Sequence, residues 1–209
     1  MNKQRKVNFL IAGSVILLIA FIFLTAGCSS AAKPQPTPTP DLVGQVKAFE
    51  DAFNRHDVDG ATAMFADNAW YLGSYPTQQI HDNFVYSAAM NTESHFSDCV
   101  QAQDTVARKS AINSDECTKL AGLQGVPDKD VVFTFQNGKI SRVNSANVGS
   151  VEYDKMDGFY GAIIQWAVDN DKTAELDKTG PAGSRFTILS REAGEITVKL
   201  CQDYAATKK

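Results

Sequence analysis

An Asn-Gly pair at 137–138 commits the middle of this chain to an antiparallel hairpin. A type I′ turn needs positive φ at both central positions, and Asn137-Gly138 supplies it between two alternating runs, Val131 to Phe135 and Ile140 to Val143. A two-residue loop pairs Phe135 with Ile140, Phe133 with Arg142 and Val131 with Asn144, so these six share one face. Val132, Thr134, Ser141 and Val143 take the other. On a concave face Arg142 and Asn144 project among aromatic rings and suit an anionic or carbonyl-bearing ligand. On a convex face they are solvated sheet residues.

Upstream, the apolar period is helical. Asp41 is a good N-cap for a stretch to His56 in which Leu42, Val46, Phe49 and Phe53 share one side. Asp57-Val58-Asp59-Gly60 interrupts it, and Asp59 can cap a short second helix carrying Ala61, Met64 and Phe65. Ala69 to Leu72 reads as a short strand ending at Gly73, with Trp70 and Tyr71 on opposite faces. Thr77 to Met90 suits a third helix with Ile80, Phe84 and Ala88 aligned. From His95 to Gln101 and from Thr105 to Ile112 the period is two, predicting paired strands around Gln103-Asp104. Helices followed by antiparallel strands make an α+β pattern.

The run from Val46 to Ala61, VKAFEDAFNRHDVDGA, followed by MFADNAW from Met64 to Trp70, resembles the opening of SnoaL-like members of the nuclear transport factor 2-like (NTF2-like) superfamily. The run FTFQNGKI from Phe133 to Ile140 resembles their late hairpin. The resemblance covers Asp41 to about Asn147. It implies a cone-shaped, cystatin-like fold, a curved antiparallel sheet wrapped around the long first helix with a pocket at the open end. Phe49, Phe53, Trp70, Phe133, Phe135, Arg142 and Asn144 are the pocket candidates. Some relatives are isomerases, dehydratases or epoxide hydrolases and others are non-catalytic binding or dimerising modules, so fold alone assigns no reaction. None of those enzymes' catalytic signatures matches residue for residue, and the catalytic residues stay unassigned.

The N-terminus points to a location. A basic start, Met1 to Lys6, leads into an uncharged apolar run from Phe9 to Ala26 and then to Leu24-Thr25-Ala26-Gly27-Cys28. Small residues directly before a cysteine resemble a bacterial lipobox, in which Cys28 is lipidated and residues 1–27 are a signal peptide. The alternative is an uncleaved transmembrane anchor. Either tethers the remainder to a membrane of the bacterial cell envelope, on its extracytoplasmic side. Residues 28–40 then form a linker, SSAAKPQPTPTP after the cysteine, whose four prolines favour an extended stalk spanning about 30–35 Å at roughly 3 Å per residue. The domain proper occupies 41–148, and 149–209 is an extension packed upon it.

Removal of Lys3, Arg5 and Lys6 with the leader leaves 17 basic against 24 acidic residues, and beyond the N-terminus adjacent Lys/Arg residues occur only as the pairs Arg108-Lys109 and Lys208-Lys209. Nucleic acid, whose recognition needs a basic face, is excluded as a partner. Cys99, Cys117 and Cys201 remain after Cys28; their spacing favours a Cys99–Cys117 disulfide, with Cys201 an alternative partner for either and three buried thiols the remaining possibility. No ligand spacing for a metal and no phosphate loop is present, and no cofactor is expected. His56, His81 and His95 have no catalytic partner visible in the sequence.

In the extension, Val151 to Asn170 has helical apolar spacing, Gly180-Pro181 marks a turn, and Ser190 caps a last helix, Arg191 to Ala205, with Ile196, Leu200 and Tyr204 as its stripe; the alternation of Ile196, Val198 and Leu200 leaves a strand as the alternative. Both helices are expected to cover the cone, as a pocket lid or over a surface that relatives use for dimerisation. Three functions follow as expectations: a lipoprotein module binding a small hydrophobic molecule or serving as scaffold, an acid–base pocket enzyme, or a protein-interaction module, including a homodimer.

Overall fold

The computed structural model describes residues 40–73, 75–146, 150–183 and 185–208. Residues 1–39, with the leader, Cys28 and nearly all of the linker, lie outside the described residues. Asp41 caps helix α1 (Leu42–Asn54), its carboxylate accepting from Gly44 N at 2.8 Å, and Asp57 in the same way caps α2 (Val58–Ala63). The capping of α2 therefore falls to Asp57, two residues before the expected Asp59. Phe65 leaves the helix and opens strand β1 (Phe65–Tyr71), which meets the two-residue β2 (Tyr75–Pro76). Helix α3 (Thr77–Ala89) follows, then β3 (Glu93–Ser97), β4 (Val100–Ala102), β5 (Thr105–Ser114), the one-turn α4 (Glu116–Leu120), β6 (Val126–Gln136) and β7 (Lys139–Ala146). The extension holds α5 (Val151–Asp169), α6 (Thr173–Asp177), a small β8–β9 ribbon (Pro181–Ala182, Arg185–Phe186) and α7 (Arg191–Ala206), capped by Ser190 as expected.

The main sheet has the order β2-β1-β7-β6-β5-β3, with β4 also on β5. All its pairs are antiparallel except β1–β7, which is parallel. Its concave face wraps α1, and the resulting core joins Val46, Phe49 and Phe53 of α1 to Ile80 and Phe84 of α3 and to Val106, Phe133 and Val143 of the sheet. Phe49 is the hub: its ring centroid lies 5.5–6.5 Å from those of Phe53, Phe65, Tyr71, Phe84, Phe96 and Phe133. This is the α+β cone implied by the resemblance.

The hairpin forms at Asn137-Gly138, but its register corrects the simple derivation. Phe135 pairs with Ile140 as expected; Thr134 then pairs with Arg142, Phe133 with Val143 and Val132 with Asn144. Ser141 is an extra residue on β7, its hydroxyl donating to the Thr134 carbonyl at 3.2 Å. A one-residue bulge reverses every side chain beyond it. Val143, 1% exposed, thus enters the core, while Arg142 and Asn144 are exposed on the outer face. Burial of a valine instead of a guanidinium and an amide favours this register.

A second core lies under the extension, where Met156 and Ile163 of α5, Leu176 of α6 and Leu200 of α7 meet Met90 and Cys117. The buried stripe of α7 is Ala193, Gly194, Thr197, Leu200 and Cys201; Ile196 and Tyr204 lie at its flanks instead. Gly194 permits close crossing on α3: a Cβ there would stand 2.6 Å from Ala89 Cβ and 2.9 Å from the Tyr86 carbonyl. That crossing brings Cys201 to Cys117, and these two form the disulfide, with Cα atoms 5.6 Å apart. The expected Cys99–Cys117 bond is corrected accordingly, and Cys99 is a free thiol packed at the edge of the first core. The mass of the unreduced, denatured protein should show one disulfide, and its peptide map a cross-link of 117 to 201.

Among the described residues no helix is long and apolar enough to cross a membrane.

Candidate functional site

Beyond the Phe49 cluster the cone opens into polar groups supplied by its last strand rows. Ser94 on β3 stands opposite Asn113 on β5, and Phe96 opposite Ala111, which in turn faces Asp128 on β6. These residues point inward while Ile112 between them is 46% exposed, as strand alternation requires. They form a linked row. Asn54 at the end of α1 donates to the Ser94 carbonyl and accepts from Ser94 N, at 2.9 and 2.8 Å. The Ser94 hydroxyl donates to Asn113 Oδ1 at 2.7 Å, and Asn113 Nδ2 donates to Asp128 Oδ2 at 2.8 Å.

Two cavities adjoin the Asn113–Asp128 pair and share both residues as lining. One, about 180 Å³, enters the cone past Phe53, Tyr71, Tyr75, Ser94 and Phe96. The other, about 330 Å³, lies between the cone and the extension, where Tyr86 and Asp115 face Tyr153, Tyr160 and Phe186. The extension therefore supplies one wall of the larger cavity.

Burial governs the electrostatics of this region. It raises the Asp128 carboxyl above the ordinary carboxylate range, against the lowering effect of the Asn113 hydrogen bond. It likewise raises Asp115, whose Oδ1 accepts from Thr118 N and Oγ1, both at 2.7 Å. Burial pushes the Tyr86 phenol up to about 12 and lifts Tyr71 and Tyr160 strongly, with Asp128 adding to Tyr71 and Asp115 adding to both Tyr86 and Tyr160. These phenols stay neutral and can donate.

A raised folded-state pKa means that the native protein holds its proton in a range where the unfolded chain has released it. Asp128 thus favours folding most at acid pH, and this contribution is lost as pH rises through its folded-state value. Asp128→Asn, which keeps an acceptor for Asn113, is expected to be at least as stable as the parent at pH 7. Its advantage should shrink as pH falls toward 4, read from urea midpoints across that interval.

The sequence-derived pocket candidates divide three ways. Phe53 lines the 180 Å³ cavity. Phe49, Phe133 and Phe135 are core residues, 0–5% exposed. Trp70 is 45% exposed on the outer face beside Arg142 and is corrected as a pocket residue together with Arg142 and Asn144; Tyr71 is the inward member of its pair. Neither large cavity is lined by a histidine. His56 Nε2 lies 3.3 Å from the Thr92 carbonyl, His81 lies by Asp59 and Asp82, and the exposed His95 stands between Glu50 and Glu93. Among the described residues no cluster of His, Cys, Asp and Glu is arranged to hold a metal. Arg108, unforeseen from the sequence, is buried with its guanidinium 3.7 Å over the Phe96 ring and 3.9 Å from Glu50, and lines neither cavity.

Asp128 was equally hidden from sequence reading. Extrapolating the alternation of Val131, Phe133 and Phe135 backwards turns Pro127 and Lys129 inward and Asp128 outward. The register shift between Lys129 and Val132, with Asp130 at φ +51°, changes the parity.

An α+β cone with α1 in its concavity and a late hairpin is the fold that the sequence resemblance implies. No protein-family model matches the sequence, and neither does any curated protein. Similar solved structures include a SnoaL-like polyketide cyclase from Agrobacterium tumefaciens, at 18% identity over 55% of this chain and 95% of that one, TM-score 0.44. Others are an NTF2-like protein from Cytophaga hutchinsonii, at 11% identity over 54% and 93%, TM-score 0.40, and a cystatin-fold protein from Novosphingobium aromaticivorans, at 19% over 50% and 97%, TM-score 0.40.

Proposed function

We propose that this protein is a cell-envelope lipoprotein whose domain binds a small molecule in the paired cavities at Asn113 and Asp128. The carrying observation is the sharing of that one hydrogen-bonded pair by a 180 Å³ and a 330 Å³ cavity, a volume and an aromatic-rich lining suited to a small organic ligand. The anchor rests on Cys28 and its preceding small residues, and the proline-rich linker holds the domain away from the lipid.

Native mass spectrometry of the full chain, extracted in mild detergent and compared with its denatured mass, tests the ligand reading. A retained small molecule that is absent from a variant with Tyr86→Trp filling the larger cavity supports it; a bare protein that also shows no thermal shift across a metabolite panel counts against it. For the anchor, incorporation of an alkyne fatty acid should be abolished by Cys28→Ala.

A second reading is favoured by one observation. Asp128 is a partly buried carboxyl with a raised pKa that lines both cavities, the attribute that an acid–base pocket enzyme requires. Turnover of a retained ligand that is lost in Asp128→Asn while binding persists would move the assignment from binding module to enzyme.

A further inference from the structure

We propose that the larger cavity selects a small organic cation of the quaternary or tertiary ammonium type. This rests on the ligand-binding reading above and names the chemistry of that ligand. Three carboxyl groups line the cavity, Asp115 from the end of β5, Asp128 from β6 and Asp157 from α5. Four aromatic rings line it as well: Tyr86 from α3, Tyr153 and Tyr160 from α5, and Phe186 from β9. Tyr160 and Phe186 meet edge to face, with centroids 5.4 Å apart.

Aromatic faces attract a diffuse cation through their quadrupole, most strongly where water is scarce. Carboxylates in the same enclosure add a field of the same sense. Among the described residues none of the three carboxyls has a lysine or arginine nitrogen within 4 Å. Asp115 and Asp128 are held by neutral donors, Thr118 and Asn113. A methylated ammonium suits such a place because it carries charge with little hydration to lose and demands few hydrogen bonds.

Arg185 also lines the cavity. Its guanidinium is exposed, hydrogen-bonds the Tyr153 hydroxyl and lies 5.5 Å from the centre of the Tyr153 ring. It occupies the outer edge and already uses a ring of this wall as a cation platform. An anion reaching for Arg185 would approach three carboxyls; a cation lodged deeper meets them favourably. Lys119 is exposed on α4 and acts on Asp115 from outside the cavity lining.

The test uses three probes of one shape on the full chain in non-ionic detergent: choline, its uncharged isostere 3,3-dimethylbutan-1-ol, and the anion 3,3-dimethylbutanoate, with dissociation constants from ligand-observed NMR. Choline should bind at least tenfold more tightly than the neutral isostere. Asp128→Asn should abolish that preference without weakening the neutral probe, and Asp157→Asn, at a half-exposed helical position, should reduce it. Thermal midpoints no lower than the parent's for both variants would show that the fold persists. Equal binding of choline and the alcohol, or tighter binding of the anion, overturns the cation assignment and leaves the cavity a ligand site. Absence of binding by every probe overturns the assignment too, and the native mass measurement then decides whether the ligand-binding reading falls with it.

Discussion

Replacing Phe49 by alanine is expected to lower stability by about 3–5 kcal/mol, the range for removing a large aromatic side chain from a packed core. Phe49 is 1% exposed and touches rings from α1, α3, β1, β3 and β6, so no single neighbour can move in to fill the void. Urea unfolding should show a lower midpoint with an unchanged slope. Phe49→Leu, which leaves a smaller hole, should recover about half of the loss. A loss under about 1 kcal/mol for the alanine variant would mean that the cone collapses around α1 and that the packing described is not what holds it.

The second large effect concerns the disulfide. Cys117 and Cys201 are 84 residues apart in sequence. Closing a loop of that size in the unfolded chain stabilises the native state by about 4–5 kcal/mol in the chain-entropy account. The double substitution Cys117→Ala, Cys201→Ala should therefore depress the thermal midpoint by roughly 10–15 °C for a domain of this size. Because the bond ties α4 to α7, the loss should appear first in hydrogen exchange of the extension and only later in β5–β7. Uniform loss of protection would show instead that the two cores open as one unit.

What could be read from the sequence was what local chemistry determines. Asp41 and Ser190 are N-caps in the sequence and in the structure, and Asn137-Gly138 turns where the φ requirement places it. The α+β order and the resemblance carried by Val46 to Trp70 and Phe133 to Ile140 led to the cone. Where the reading went astray, long-range packing had overridden a local period. Ser141 and the Lys129–Val132 step each shift register by one, and no propensity marks either residue as extra. Those two steps moved Arg142 and Asn144 out of the candidate site and brought Asp128 into it. Cys201 lay beyond local reasoning for a similar cause. Its partner is set by the crossing of α7 on α3, and a glycine at 194 signals such a crossing only once the neighbouring helix is known. Tyr86 and Tyr160, from two distant helices, could not be matched by spacing at all.

The extra residue at Ser141 has one more consequence. Across the same step from Ile140 to Arg142, β7 falls out of register with both of its neighbours: one residue against β6 and, in the other direction, five positions of β1, from Phe65 to Trp70, face two of β7. Deleting Ser141 would remove that step between β6 and β7 and leave the one between Lys129 and Val132, with Val143 still inside and Arg142 still outside. The pairing of β6 with β7 is therefore adjustable by a single codon without turning Val143 out of the core or Arg142 into it.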